Sequence, residues 1–223
     1  MDDVLSDEIC GHAKVGSTLS RASAAEVDAF RQMARGHSSA ILARVVVKIS
    51  GYVIGPARDD ALAGLPDIER AAAEIFAEED LPASMREHVL PLAFFEAAAR
   101  EGRLFVATEV ARNIPVGFAL TTRVDGCTHL YEMDVLPDHG RQGLGRRLVE
   151  AVADRARARG DARVTLTTFR HVAWNASFYR KLGFVMLDGD SLGPELNACL
   201  EAEARRGLDP AKRVAMQLAL RIR

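Results

Sequence analysis

Residues 104–158 constrain the fold more than any other stretch. Three strand-like runs, "RLFVATEV", "PVGFALTTRV" and "THLYEMDV", are separated only by the short turn formers "ARN" and "DGC". Connections that short join antiparallel neighbours, so the runs predict a meander. A glycine-rich bridge follows, "DVLPDHGRQGLGRRLVE". Beyond it Leu144, Leu148, Val152 and Ala156 recur at helical spacing, while Arg146, Arg147, Glu150, Asp154 and Arg157 point elsewhere. With Gly160 as its stop, this predicts an amphipathic helix of about five turns. A strand, a glycine turn and a helix start leave unpaired backbone N–H groups at the positive end of the helix dipole. That corner attracts phosphate.

The flanks extend the pattern to a mixed α/β sheet with helices on both faces. "YVIGPA", "ARVTLTTF", "FVML" and "RVAMQLALRI" read as strands. "PDIERAAAEIFAEED" reads as a helix started by Pro66, with Ile68, Ala72, Ile75 and Phe76 on one face. "REHVLPLAFFEAAAREG", "WNASFYRKLG" and "PELNACLEAEARRG" are also helical, Pro91 marking a start or a kink. Residues 1–49 look different: the spacing of Ser23 and Glu26 suits a capping box for a short helix, and "AILARVVVKI" fits either a strand or a buried helix. The expected organisation is an N-terminal extension over 1–49 and one domain over 50–223.

Composition narrows the function classes. Twenty-nine basic against 31 acidic residues give a net charge of -2, which argues against a nucleic-acid partner, so any anion site must be local. No run approaches the roughly 20 apolar residues of a membrane span, and the acidic N-terminus lacks a secretory pattern, so a cytoplasmic protein is expected. Cys10, Cys127 and Cys199 are odd in number and far apart, which suggests reduced thiols. His129, His139 and His171 have no metal-ligand spacing, and no metal is expected.

Three phosphate-binding designs compete for the bridge. A P-loop needs Gly-Lys followed by Ser or Thr, which is missing; a dinucleotide fingerprint counted from Gly143 and Gly145 needs glycine where Leu148 stands. The third fits better. "DVLPDHGRQGLGRRL" resembles the pyrophosphate loop of the GNAT N-acetyltransferase superfamily, Q/R-x-x-G-x-G/A after a strand ending in Val-x-Pro, with Val135 and Pro137 in place. Gly140 stands where that family favours Gln or Arg, so the loop departs there. "WNASFYRKLGF" is similar to the family's fourth helix and next strand, through Asn175, Tyr179, Gly183 and Phe184. The similarity runs from about Gly51 to the C-terminus.

The resemblance implies a GNAT-like, mostly antiparallel sheet and an enzyme that moves an acetyl group from acetyl-CoA to a primary amine by direct attack. It implies that Met133, Val135, Arg141, Gln142, Gly143, Leu144, Gly145, Arg146 and Asn175 hold the donor, and that an N–H near Val135 faces the thioester carbonyl. Glu132 takes the position of the general base, with Asp134 the fallback, and Tyr179 that of the acid for the departing thiolate. Strand alternation puts Glu132 and Asp134 on one face, Met133 and Val135 on the other. A small-molecule amine is the expected acceptor, a protein N-terminus the alternative, and edge strands permit a homodimer. Rival readings are a non-catalytic acyl-CoA-binding or regulatory module and a nucleotide-binding oxidoreductase.

Overall fold

The structure, a computed structural model, describes residues 47–221. The helix expected near Ser23 and most of the apolar run before Gly51 lie outside the described residues. Eight strands form one sheet: β1 (Val47–Ile49), β2 (Tyr52–Pro56), β3 (Leu104–Glu109), β4 (Ile114–Val124), β5 (Cys127–Val135), β6 (Arg163–Phe169), β7 (Val185–Met186) and β8 (Arg213–Ala219). Their order is β1-β2-β3-β4-β5-β6-β8-β7, so β8 inserts between β6 and β7. All neighbours are antiparallel except β5 and β6. The meander expected from three closely spaced runs is β3-β4-β5.

The helices are α1 (Asp59–Leu62), α2 (Leu65–Ala73), α3 (Ala83–Arg86), α4 (Leu92–Arg100), α5 (Leu144–Ala158), α6 (Ala176–Lys181) and α7 (Pro194–Arg205). On one face Leu144, Leu148, Val152 and Ala156 of α5 pack on Ile54, Phe105, Ala119, Leu130 and Leu166. These are the residues whose helical spacing marked an apolar stripe; burying it is what holds the helix to the sheet. On the other face Leu65 and Ile68 of α2 and Phe95 and Ala98 of α4 cover Val106, Phe118, Leu120 and Tyr131. Further along that face α7 sets Leu196, Cys199 and Ala202 against Val124 and Ala215.

Several expectations need correction. The helix started by Pro66 stops at Ala73, so Phe76 turns into a cluster with Leu81, Met85 and Phe169 while Ile75, expected on the same face, is 43% exposed. The central helix spans 15 residues, closer to four turns, because the chain leaves it at Gly160 with φ +80°. The sheet also begins inside the stretch set apart as an extension, since residues 47–49 are β1. Cys127 is a free thiol, but Cys199 is disulfide-bonded, against the expectation of reduced thiols.

One glycine fixes how closely β4 approaches β5. A Cβ on Gly117 would lie 2.8 Å from the Asp134 carbonyl oxygen and 3.0 Å from Val135 Cγ2. Backbone must therefore move to admit it, and Gly117→Ala is expected to cost about 1–3 kcal/mol, read as a lower urea midpoint at unchanged slope.

Candidate active site

Among the described residues, the sheet opens at its only parallel pair. β5 and β6 are in register at Thr128↔Val164 and His129↔Thr165 and no further, although β5 continues to Val135 and β6 to Phe169. The paired end is stapled by Asp161, whose carboxylate accepts from Arg123 Nη1 at 2.7 Å and from the N–H and hydroxyl of Thr128. Along the open part, Leu136 donates its N–H to Val116 of β4 at 2.9 Å. Successive residues of a strand direct their N–H groups to opposite sides, so those of Val135 and Met133 point away from β4 into the opening. The β4–β5 register shifts at Leu120/Thr121, leaving Tyr131 as an extra residue. The irregularity thus lies upstream of Val135, and the outward N–H at Val135 follows from strand divergence instead.

The register shift also decides faces. Tyr131 lies on the α2/α4 face, and Glu132 and Asp134 pair with Leu120 and Phe118 of that face, while Met133 and Val135 pack toward α5. The two carboxyl groups therefore share a face, as alternation required, but Tyr131 joins them there because of the extra residue. Both carboxylate side chains are buried.

At the end of β5 the chain makes a short 3₁₀ turn, Pro137–His139, and then the glycine bridge. Arg141 and Gly143 both take left-handed backbone, at φ +57° and +79°, and Gly143 caps α5 with no side chain on the helix's first N–H groups. Those amides start the helix at the mouth of the opening, where the dipole favours an anion. Arg141, Gln142, Gly143 and Arg146 are exposed there; Leu144 is a core residue and offers only its backbone. Gly145 touches α6: a Cβ there would lie 3.2 Å from Phe178 Cζ and 3.6 Å from Met133 Cε. The turn is tethered from a distance by Tyr52, whose hydroxyl lies 2.9 Å from His139 Nδ1 with the rings edge to face.

Asn175 caps α6 and Tyr179 lies one turn on, donating its N–H to the Asn175 carbonyl at 3.1 Å. Asn175 is buried, and its Nδ2 has no hydrogen-bond partner among the described residues. Tyr179 is 3% exposed and stacks edgewise with Phe178 and Phe184. Burial pushes its phenol well above the ordinary tyrosine range, the charge of Asp134 adds to that, and Arg213 opposes it. Tyr179 is therefore held protonated within electrostatic reach of Asp134 on β5 and Arg213 on β8.

Sequence reasoning missed what surrounds these groups. On the α2/α7 face of β6 and β8, Arg213 donates to Glu203 of α7 from Nε at 2.7 Å and from Nη2 at 2.9 Å, and Thr167 donates to Glu203 at 2.5 Å. Arg213 is 3% and Glu203 0% exposed. Nearby, Asp80 accepts from Lys212 at 2.7 Å and lies 2.9 Å from His171 Nε2, tying the loop after α2 to the ends of β6 and β8. Burial raises the Asp80 carboxyl pKa, but Lys212 and His171 outweigh it and hold the group below its usual range. Their partners lie from 10 to 132 residues apart, and no local pattern announces such pairs.

The family model described as Acetyltransferase (GNAT) family matches residues 65–184. The [ribosomal protein bS18]-alanine N-acetyltransferase of Escherichia coli (strain K12) is 33% identical over 110 residues, covering 47% of this chain and 74% of the relative. The crystal structure of the ribosomal-protein-S18-alanine N-acetyltransferase from Escherichia coli superposes with TM-score 0.52 at 23% identity, over 76% of this chain and 94% of that one. The paiA N-acetyltransferase of Thermoplasma acidophilum, solved with coenzyme A, superposes with TM-score 0.53 at 18% identity, over 75% and 98%. With a parallel pair that opens beside an uncapped, glycine-led helix, and a family match over more than half its length, the chain belongs to the GNAT family of acetyltransferases, enzymes that use acetyl-CoA.

Proposed function

We propose that this acetyltransferase transfers the acetyl group to a primary amine by direct attack, both substrates being bound together. The observation that carries the reading is the opening between β5 and β6, which ends at the bare N–H groups of α5. The diphosphate of acetyl-CoA belongs at that helix start, with Gly143 and Gly145 keeping side chains out of the way and Arg141 and Arg146 adding charge. Gln142 and Leu144 contribute backbone, and the orphaned Asn175 Nδ2 suits a carbonyl of the pantetheine arm. Met133 and Val135 line the thioester, the Val135 N–H stabilising the oxyanion.

The acceptor amine enters from the face of Glu132 and Asp134. Glu132, or Asp134 in its place, takes the proton that the nitrogen must lose; the N–C bond forms, the C–S bond breaks, and the thiolate takes a proton from Tyr179. Burial keeps the phenol protonated until the thiolate forms, so the proton is in place for that last step, although the same burial makes the group a weaker acid than a free tyrosine. The E. coli relative is named for a protein alanine, which favours a protein α-amine as the second reading of the acceptor.

Calorimetry with coenzyme A, joined to thiol release from acetyl-CoA over a panel of amines, tests the reading. Uptake with amine-dependent release is expected; no uptake would sink the enzyme assignment, and uptake with no release from any amine would favour a binding module. The Tyr52 tether gives a finer check. Tyr52→Phe removes one hydrogen bond, so the KM for acetyl-CoA is expected to rise about 2–10-fold with kcat within about twofold. An unchanged KM would mean that the His139 turn does not shape the donor site.

A further inference from the structure

Arg213 opens β8 opposite Phe169 of β6, and its guanidinium carbon lies 4.5 Å from the centre of that ring. Nε and Nη2 are occupied by the two oxygens of Glu203, and Nη2 also lies 3.4 Å from Thr167 Oγ1. Nη1 has no hydrogen-bond partner among the described residues, although the side chain is almost completely buried. A buried donor without an acceptor is costly, and such exceptions in native folds ask for an explanation. Thr167 stands beyond the last pairing of β6 with β5, and its side chain and that of Arg213 lie on the sheet face that carries Glu132 and Asp134. Its charge also reaches Tyr179.

Two features define the chemistry of a ligand for Nη1. A guanidinium N–H is a donor only, so the ligand must offer an acceptor. The positive charge is already matched by Glu203, and Glu132 and Asp134 add two further carboxyl groups to the same face. Three carboxyl groups against one guanidinium repel an incoming carboxylate but not a neutral carbonyl oxygen. We propose that Arg213 Nη1 is a specificity donor that receives the amide carbonyl oxygen of a primary-amine acceptor, as an α-amino amide or the first residues of a peptide would present it. The inference rests on the acetyltransferase reading and names the acceptor class of that same site.

The single tryptophan, Trp174, lies 6.0 Å from Phe76 in the aromatic group that includes Phe169, so its fluorescence can follow acceptor binding without turnover. With coenzyme A saturating, alaninamide and alanyl-glycinamide are expected to bind about tenfold or more tighter than isopropylamine, which lacks the carbonyl. Free alanine, which brings a carboxylate, is expected to bind more weakly than alaninamide. In the pair variant Arg213→Met/Glu203→Met, and in Arg213→Leu/Glu203→Leu should the methionine pair fail to fold, no donor remains and amide and alkylamine should bind within about twofold of each other. A wild-type ratio near one, a ratio that survives in the variant that folds, or alanine binding tighter than alaninamide would each overturn the proposal while coenzyme A uptake kept the enzyme reading. Absence of coenzyme A uptake would overturn that reading and this inference together.

Discussion

Tyr179→Phe is expected to lower kcat about 100-fold, the lower end of what a positioned proton donor contributes, while the KM for acetyl-CoA stays within about twofold. The substitution keeps the ring that packs between Phe178 and Phe184 and removes only the hydroxyl, so stability should hardly change. The pH profile supplies the sign. Burial, then the charge of Asp134, raises the phenol pKa above its free value of 10.0, so the proton remains in place where an exposed tyrosine would lose it. Wild-type kcat should therefore show no fall caused by loss of this acid as pH approaches 10, and any basic limb below that belongs to another group. A kcat unchanged in Tyr179→Phe, measured where chemistry limits the rate, would remove Tyr179 from the acid role.

The largest effect on stability is expected from Glu203→Ala. Removing this carboxylate takes away the acceptor of two Arg213 hydrogen bonds and of one from Thr167, and leaves a guanidinium inside the protein without its counter-charge. Breaking a buried pair in this way costs about 3–5 kcal/mol, a large part of the roughly 5–15 kcal/mol that holds a domain together. Urea unfolding checks the size. Replacing both residues by methionine should recover most of the loss, since neither charge then remains to be solvated. A loss under about 1 kcal/mol for Glu203→Ala would show that the pair behaves as an exposed one.

Much of this architecture is written in local pattern. The turn residues between three short apolar runs left β3, β4 and β5 no arrangement but a meander, and the spacing of Leu144, Leu148, Val152 and Ala156 required an amphipathic helix directly after the glycines. The candidate donor site was legible for the same reason: strand end, glycine bridge and helix start are consecutive in the chain, so their chemistry survives in a single window of sequence. The limits of α2 were not, because Ile75 and Phe76 obey the same periodicity and only the cluster around Phe169 selects Phe76 for burial.

What depends on partners far apart in the chain was hidden. The strands β5 and β6 are joined at one end by Asp161, and near the other end Met133 and Phe178 meet at Gly145, contacts that span from 12 to 33 residues of chain. The extra residue at Tyr131 is likewise a matter of register, not composition. So the sequence alone determined the meander, the bare helix start and the sharing of one face by Glu132 and Asp134, because these follow from neighbours along the chain. Only the tertiary structure decided that the parallel pair opens after His129, that the charges of Asp134 and Arg213 both reach Tyr179, and that Arg213 keeps one donor unspent, because electrostatic and packing partners are chosen in space.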